Sequence, residues 1–365
     1  VRITHIELGV SRVPLKLPFR TALRSVDQVE DVIVRLHTDS GHVGYGAAPP
    51  TAAITGDTLD SIVAAIRQHI APHLIGGEVA ELDQLTALIR EAVPGNPSAK
   101  AAMDIAVHDL WGQWQGAPLY RLFGGSHPRL RTDLTISVGE VSAMVEQSLH
   151  AVGRGYRALK LKLGKDPALD IRRVLAIHEA VGDRATLRLD ANQGWSAEQA
   201  VQVLQAVEHA GVQPELLEQP VPANDIDGLC HVTARVQTPV VADESVFDAN
   251  DAIEVIRRRA ADIINIKLMK AGGISGALRI ADLAAAHGVG CMIGCMLEGA
   301  VGVTAAAHVA AARPEVITKI DLDGPALCRY NPVDGGAIFR EAEIDLTDGP
   351  GLGIRDIRDV ERLDY

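Results

Sequence analysis

Six short segments in the second half of the chain carry charged residues at alternate positions: ALKLKLG (158–164), LRLDAN (187–192), ELLEQP (215–220), VVADES (240–245), INIKLM (264–269) and KIDLD (319–323). In a strand, residues i and i+2 share a face. Leu159, Leu161 and Leu163 then form one face of their segment, and Lys160 and Lys162 the other. The same parity sets Arg188, Asp190 and Asn192 against Leu187 and Leu189. It sets Asn265 and Lys267 against Ile264, Ile266 and Leu268, and Lys319, Asp321 and Asp323 against Ile320 and Leu322. Glu218 and Asp243 end their own segments. Asp190, Glu218 and Asp243 are three oxygen donors with no Cys or His beside them, a set that suits a hard cation, Mg²⁺ with Mn²⁺ as the alternative. A lysine beside such a cation loses its proton more easily and can act as a base near neutral pH. A carboxylate held by the cation has a more acidic α-proton, because the developing negative charge is stabilised. Lysines on opposite faces of one α-carbon allow removal from one side and delivery from the other, which is a racemisation or an epimerisation.

The elements that must position these residues follow a regular spacing. Strand ends are expected near Val138, Lys162, Asp190, Glu218, Asp243, Lys267, Gly294 and Asp321, with gaps of 24, 28, 28, 25, 24, 27 and 27 residues. Helical stretches fill the gaps, so the units are parallel βα repeats, and eight of them close a barrel. Charges at the C-terminal ends of barrel strands belong to chemistry, since unpaired charge inside a barrel is costly. The expected inner set is Lys160, Lys162, Arg188, Lys267 and Lys319 against Asp190, Glu218, Asp243, Asp321 and Asp323, a balanced site. Lys270 lies past its strand end and reads as a loop lysine. Residues 1–125 read as an α+β domain: strands near 3–8 and 32–36, a turn at 37–46, and helices near 57–71, 81–93 and 98–115, the last stopped by Gly116. Residues 126–323 make the barrel. The Pro- and Gly-rich tail 324–365 has no final barrel helix and is expected to return to the N-terminal domain. The fold class is a (β/α)7β-type TIM barrel with an α+β capping domain.

Composition excludes several classes. The formal charge is −12 and aromatics are 3% of residues, which disfavours nucleic-acid backbone binding and base-stacking surfaces. Hydrophobics at 47% are too many for a disordered chain. Four cysteines are too few for a disulfide framework and read as buried hydrophobes in a reducing, cytoplasmic setting. VRITHIELGV alternates like a strand and carries no signal-peptide pattern. The apolar stretch 283–312 reads as helix, buried strand, helix rather than a membrane span. GGISG (272–276) resembles a phosphate loop only loosely. The 13 histidines form no HxxxH pattern with an acidic partner and read as surface or core residues.

Taken in order, KLK with Lys160 and Lys162, LRLDANQGW with Asp190, LEQP with Glu218, ADES with Asp243, INIKLMKAGG with Lys267 and DLDGP with Asp321 and Asp323 resemble the enolase superfamily, muconate-lactonising subgroup, and within it the dipeptide epimerases, most of all those acting on L-Ala-D/L-Glu. The resemblance covers nearly the whole chain. It implies Mg²⁺ on Asp190, Glu218 and Asp243, and Lys162 and Lys267 as the two acid/bases acting through a metal-stabilised enolate. Lys160 would assist Lys162 and hold the substrate carboxylate, and Asp321 and Asp323 would bind a dipeptide's ammonium. Specificity would come from capping loops at 18–25 and 49–57, with Arg24 receiving a glutamate side chain; Ile54, Asn192 and Glu298 complete the implied substrate contacts. The expected partners are a small dipeptide and further copies of the chain in a homo-oligomer, with no nucleic acid and no membrane. The chain departs from the family at Gly299 and Ala300, where relatives carry a bulkier or basic residue. The seventh strand ends without the histidine of the acid-sugar dehydratases. An alternative within the superfamily is an o-succinylbenzoate synthase or cycloisomerase-type lyase, which has no ammonium to bind. A non-catalytic barrel is opposed by the complete set of lysines and carboxylates.

Overall fold

Alternation of apolar and polar residues in the N-terminal segment produces long strands. The computed structural model describes residues 1–21 and 25–363. In it β1 (Ile3–Arg20) and β2 (Ser25–Thr38) pair antiparallel, and the turn after Thr38 returns the chain as β3 (Val43–Ala48). The strands run well beyond the six- and five-residue segments expected from alternation. One face of this sheet is covered by the helix Pro97–Gln115, in which almost every residue from Ser98 to Leu110 is buried. Gly44 and Gly46 make that approach possible: a Cβ on Gly46 would stand 1.9 Å from the Ala102 carbonyl, and one on Gly44 2.3 Å from that of Ala106. Gly116 stops the helix with φ 69°, as a left-handed C-terminal residue should. The expected helix at 57–71 is three pieces, Leu59–Ala64, the π-helical Ala65–Ile70, and Ala71–Leu74. The widened turn precedes Pro72, which has no N–H to continue the α ladder.

Eight parallel strands follow in sequence order: Leu134–Ile136, Ala158–Lys162, Thr186–Asp190, Leu216–Glu218, Val240–Ala242, Ile263–Ile266, Gly290–Gly294 and Ile317–Asp321. The ladders from the second to the fourth strand run without a register shift, and Lys162, Asp190 and Glu218 stand side by side; the seventh and eighth strands carry one irregularity between Cys291 and Met292. Among the described residues the first and eighth strands share no strand ladder. They are joined by Asp133 N donating to Ile320 O (3.3 Å), Leu322 N to Thr132 Oγ1 (2.8 Å) and Thr135 N to Asp323 Oδ2 (2.7 Å). Outward-facing Leu159, Leu161, Leu187 and Leu189 are buried under the helices. Inside, Leu216, Val241 and Met292 form a small apolar layer. The 283–312 stretch is helix, strand, helix, and no described helix is long and apolar enough to cross a membrane.

After the eighth strand only the four-residue helix Gly324–Leu327 forms. The chain then leaves the barrel, and Val360–Arg362 adds to β1 as a fourth strand of the N-terminal sheet. Asp109 ties helix, sheet and tail together, accepting from Tyr45 N (2.9 Å) and Leu352 N (2.7 Å). Gly46→Ala is therefore expected to destabilise the protein by roughly 3 kcal/mol, because neither backbone can move aside. Urea unfolding midpoints of parent and variant measure this.

Candidate active site

The strand ends bring together what parity groups. Lys160 and Lys162 come from the second barrel strand, Asp190 from the third and Glu218 from the fourth. Asp243 follows the fifth strand, Lys267 the sixth, and Asp321 and Asp323 close the set at the eighth. Lys162 Nζ donates to Asp190 Oδ2 at 2.6 Å, and Lys267 Nζ to Asp243 Oδ2 at 2.6 Å. Lys160 sits among three acids, 2.7 Å from Asp321, 2.8 Å from Glu218 and 3.1 Å from Asp190. Asn192 donates its backbone N–H to Asp190 Oδ1 at 2.9 Å. Lys160, Lys162, Asn192, Lys267, Asp321, Asp323 and Ile54 all line one cavity beneath the N-terminal domain, with Phe19 and Leu297 as apolar wall. Glu298 does not line it. Its carboxyl turns back to accept from Met296 N (2.9 Å) and is buried. Arg24 lies outside the described residues.

The structure corrects the expected charge inventory. Arg188 and Lys319 do not join this cluster. They sit toward the other end of the barrel, where Arg188 holds Asp133 (2.8 Å) and Glu215 (2.6 Å) and Lys319 reaches Glu215 (3.2 Å). Parity cannot tell one end of a strand from the other. Lys270, read as a loop lysine, is buried and donates to Asp243 Oδ1 (2.6 Å), to the Asp243 carbonyl and to Asn265 O (3.0 Å). Glu244, the residue after Asp243, is also buried, 3.4 Å from Asn192 Nδ2. Gln219 was missed too: its Oε1 accepts from Asp243 N (2.9 Å) and Ser245 N (3.2 Å), which fixes the Asp243 turn. Gln219 takes φ 33° and Asn192 φ 44°, conformations that cost energy and cluster at functional sites. Strand parity had marked Asn192; for Gln219 its place directly after Glu218 was the only sequence signal.

The cluster therefore holds four lysines (Lys160, Lys162, Lys267, Lys270) and six carboxyls (Asp190, Glu218, Asp243, Glu244, Asp321, Asp323), all buried. Four against six leaves two negative charges uncompensated. Burial, then repulsion from Asp190, pushes Glu218 up to about 8. Burial, then Asp243, raises Glu244 to about 7, and burial, then Asp321, raises Asp323 to about 6. Against burial, Lys160 pulls Asp321 down to about 2, and Lys267 and Lys270 hold Asp243 well below the usual carboxylate range. Glu244 Oε2 and Asn192 Oδ1 are buried with no hydrogen-bond donor, and Glu218 Oε2 has only the off-axis Lys160 ammonium. Donorless buried oxygens and a shortfall of two positive charges both fit one divalent cation. In the protein alone Lys267 is not a ready base: burial disfavours its charge, but Asp243, Glu218 and Glu244 together overcome burial and raise its pKa. The depression expected from sequence requires the acids to be neutralised first.

Two other motifs are resolved. GGISG is no phosphate loop, because the Asp104 carboxylate already occupies it, accepting from Ser275 N (3.2 Å) and Ser275 Oγ (2.6 Å). Gly299 donates its N–H to Asp31 Oδ2 (2.9 Å), and a Cβ there would stand 2.5 Å from that oxygen. The departure at Gly299 thus lies against β2, outside the cavity.

Residues 5–124 match the family described as Mandelate racemase / muconate lactonizing enzyme, N-terminal domain, and residues 143–359 match that described as Enolase C-terminal domain-like. The chain is 50% identical over 355 residues to the L-Ala-D/L-Glu epimerase of Clostridium acetobutylicum, covering 97% of this chain and 99% of that protein. Among solved structures it is similar to a substrate-liganded complex of the L-Ala-D/L-Glu epimerase from Bacillus subtilis. The TM-score is 0.96 and the identity 46%, over 98% of this chain and 99% of that one. It is also similar to the dipeptide epimerase from Enterococcus faecalis complexed with Mg and L-Leu-L-Tyr, with TM-score 0.94 and 40% identity over 98% and 100% of the two chains.

Glu298 and Asp31 leave a signature in stability. Burial, then the Asp31 charge, raises Glu298 to about 8, and burial raises Asp31 to about 7. An acid with a raised folded pKa stabilises fully below its unfolded pKa, and this stability is lost as pH rises through the folded value. Glu298→Gln cannot ionise, so it is expected to gain on the parent by up to about 1.4 kcal/mol per pH unit across the window from roughly pH 4.5 to 8. The difference in urea midpoints at pH 5 and pH 8 reads this gain.

Proposed function

The chain belongs to the mandelate racemase / muconate lactonizing enzyme family, and from that premise we propose that it is a Mg²⁺-dependent dipeptide epimerase that inverts the α-carbon of the C-terminal residue, with L-Ala-D/L-Glu as substrate. The observation that carries the reading is two buried lysines, Lys162 at the end of the second of eight strands and Lys267 directly after the sixth, facing one carboxylate cluster from opposite sides. In the proposed mechanism Asp190, Glu218 and Asp243 hold the cation, with Mn²⁺ as the alternative ion. Bound there, Mg²⁺ supplies electrostatic stabilisation of the negative charge that develops on the substrate carboxylate. Lys162 Nζ and Lys267 Nζ take the α-proton from one face and return one to the other, exchanging roles with the direction of reaction. Lys160, held by three acids, keeps its proton and orients the substrate carboxylate.

Asp321 and Asp323 receive the substrate ammonium. Lys160 donates to Asp321 Oδ2 and Thr135 N to Asp323 Oδ2, and both carboxyls line the cavity. The lyase alternative has no use for this pair. Asn192 and Ile54 contribute to the substrate walls. The preference for glutamate rests on Arg24 and on relatives of 50% and 46% identity that bear that specificity in their names. We extend the proposal to the domain limits 1–125, 126–323 and 324–365; the first is supported by the family match over residues 5–124, while the match over 143–359 runs across the limit at 323. A cytoplasmic setting is proposed in keeping with four free cysteines.

Incubation with Mg²⁺ and L-Ala-L-Glu in D₂O is expected to wash deuterium into the glutamate α-position with appearance of the D-epimer by NMR. Absence of exchange with every dipeptide offered would sink the reading. Lys162→Ala and Lys267→Ala should each lower the epimerisation rate by about 10³-fold. Asp323→Asn keeps the Lys160–Asp321 pair. It is expected to raise KM for the dipeptide about tenfold or more, as loss of one charged hydrogen bond does, while leaving an N-acylated substrate unaffected.

A further inference from the structure

On the outer face of the N-terminal sheet, far in sequence from every barrel residue above, three ligand-type side chains converge. His5 Nε2 or Nδ1, His37 and Glu7 offer atoms that all lie within 4.8 Å of one another. Antiparallel register sets His5 directly opposite His37, and Glu7 is two residues along on the same face. This pair belongs to the long register that continues through Ile6–Leu36 and Glu7–Arg35 to Pro14–Gln28. A β-bulge beside it displaces only the end of the strand, where Ile3 pairs with Thr38 and Thr4 is left without a strand partner.

The hydrogen bonds define which nitrogens are free. The Thr4 hydroxyl has one proton, and it donates that proton to the His37 carbonyl (3.2 Å). Its contact with His5 Nδ1 (3.1 Å) must then be one it accepts. His5 carries its proton on Nδ1, and its Nε2 lone pair is bare. A hydrogen bond from the remote ring nitrogen is how protein metal sites orient their imidazoles. His37 Nε2 is buried with no hydrogen-bond partner; its nearest acid is Glu7 Oε2 at 3.7 Å. Of the neighbouring cations, Arg35 donates to Ile357 O (2.7 Å), whereas Arg362 pairs with Glu7 through Oε1 (3.5 Å) and leaves Oε2 on the His37 side.

We propose that His5, His37 and Glu7 form a binding site for a borderline divalent transition-metal cation, Zn²⁺, ligated through His5 Nε2, His37 Nε2 and Glu7 Oε2 with water in the fourth position. Two imidazoles and a carboxylate suit Zn²⁺ and its neighbours and disfavour Mg²⁺, so this site differs in kind from the all-oxygen cluster in the barrel. The rings are stacked 4.2 Å apart and within 5° of parallel. To bring bonds of roughly 2.0–2.1 Å onto one ion they tilt toward each other about χ2, a soft torsion. A bound ion staples β1 to β2 beside the bulge. The proposal is independent of the reaction assigned to the barrel.

The test uses the full protein saturated with Mg²⁺, so that the oxygen cluster is filled. One equivalent of Zn²⁺ per chain should remain after equilibrium dialysis, with affinity falling at least tenfold in His37→Asn and in Glu7→Gln. With Cu²⁺ as a spectroscopic probe, electron paramagnetic resonance should show superhyperfine coupling to two nitrogens in the parent and to one in His5→Asn. His5 is exposed, so that variant is expected to keep the parent's circular dichroism. Oxygen-only ligation in the parent, or coupling and affinity unchanged in the variants because other histidines bind the probe, would overturn the proposal.

Discussion

Charge buried inside the barrel must be met by charge, and that constraint organises this molecule. Lys160 shows it most directly: a side chain only 2% exposed, with three acids from three strands within 3.1 Å. Each strand must arrive in register for this to hold, because a shift by one residue would turn Lys160 to the helices and Leu159 or Leu161 to the centre. The pairing of Lys162 with Asp190 and of Asp190 with Glu218 across consecutive strands is the same requirement expressed as backbone register. The barrel separates its polar interior into two levels, the site cluster and the Arg188–Asp133–Glu215–Lys319 group, and each level answers its own charges.

The imbalance within the upper cluster has a physical consequence. Four lysines cannot pair six buried carboxyls, so burial, reinforced by repulsion from Asp190 and Asp243, raises Glu218 and Glu244. The surplus of acids that suits a divalent ion and the locking of the lysines on their acids are two aspects of one arrangement. The N-terminal sheet closes over this cluster, held by the glycine-lined contact of β3 with the helix Pro97–Gln115 and by the returning C-terminal strand. The cavity beneath it is thus walled by both parts of the chain.

Much of this was legible in the sequence, and for a definite reason. A parallel barrel repeats one unit, so strand spacing reveals the architecture, and period-two alternation reveals which side chains face in. Lys160, Lys162, Asp190, Glu218, Asp243, Lys267, Asp321 and Asp323 were all found that way, and all of them lie in the cluster. Misplacements occurred where alternation gives no answer. Arg188 and Lys319 have the right parity but the wrong depth along their strands. Lys270 and Glu244 lie past the strand ends, where the chain turns and parity no longer applies. Glu298 sits in the right loop, yet its carboxyl folds back on Met296 N.

Long-range pairing is what no local pattern could supply. His5 and His37 are ordinary residues in the sequence, and only the antiparallel register of β1 with β2 stacks them beside Glu7. Likewise Asp31 on β2 meets Gly299 of the barrel only after the two parts of the chain have packed. The sequence by itself determined the fold class and the residues that face the barrel axis, because both follow from periodicities of the backbone. The tertiary structure alone decided which charges neighbour which, and how deep each lies, because ion pairing and burial depend on distances between segments remote along the chain.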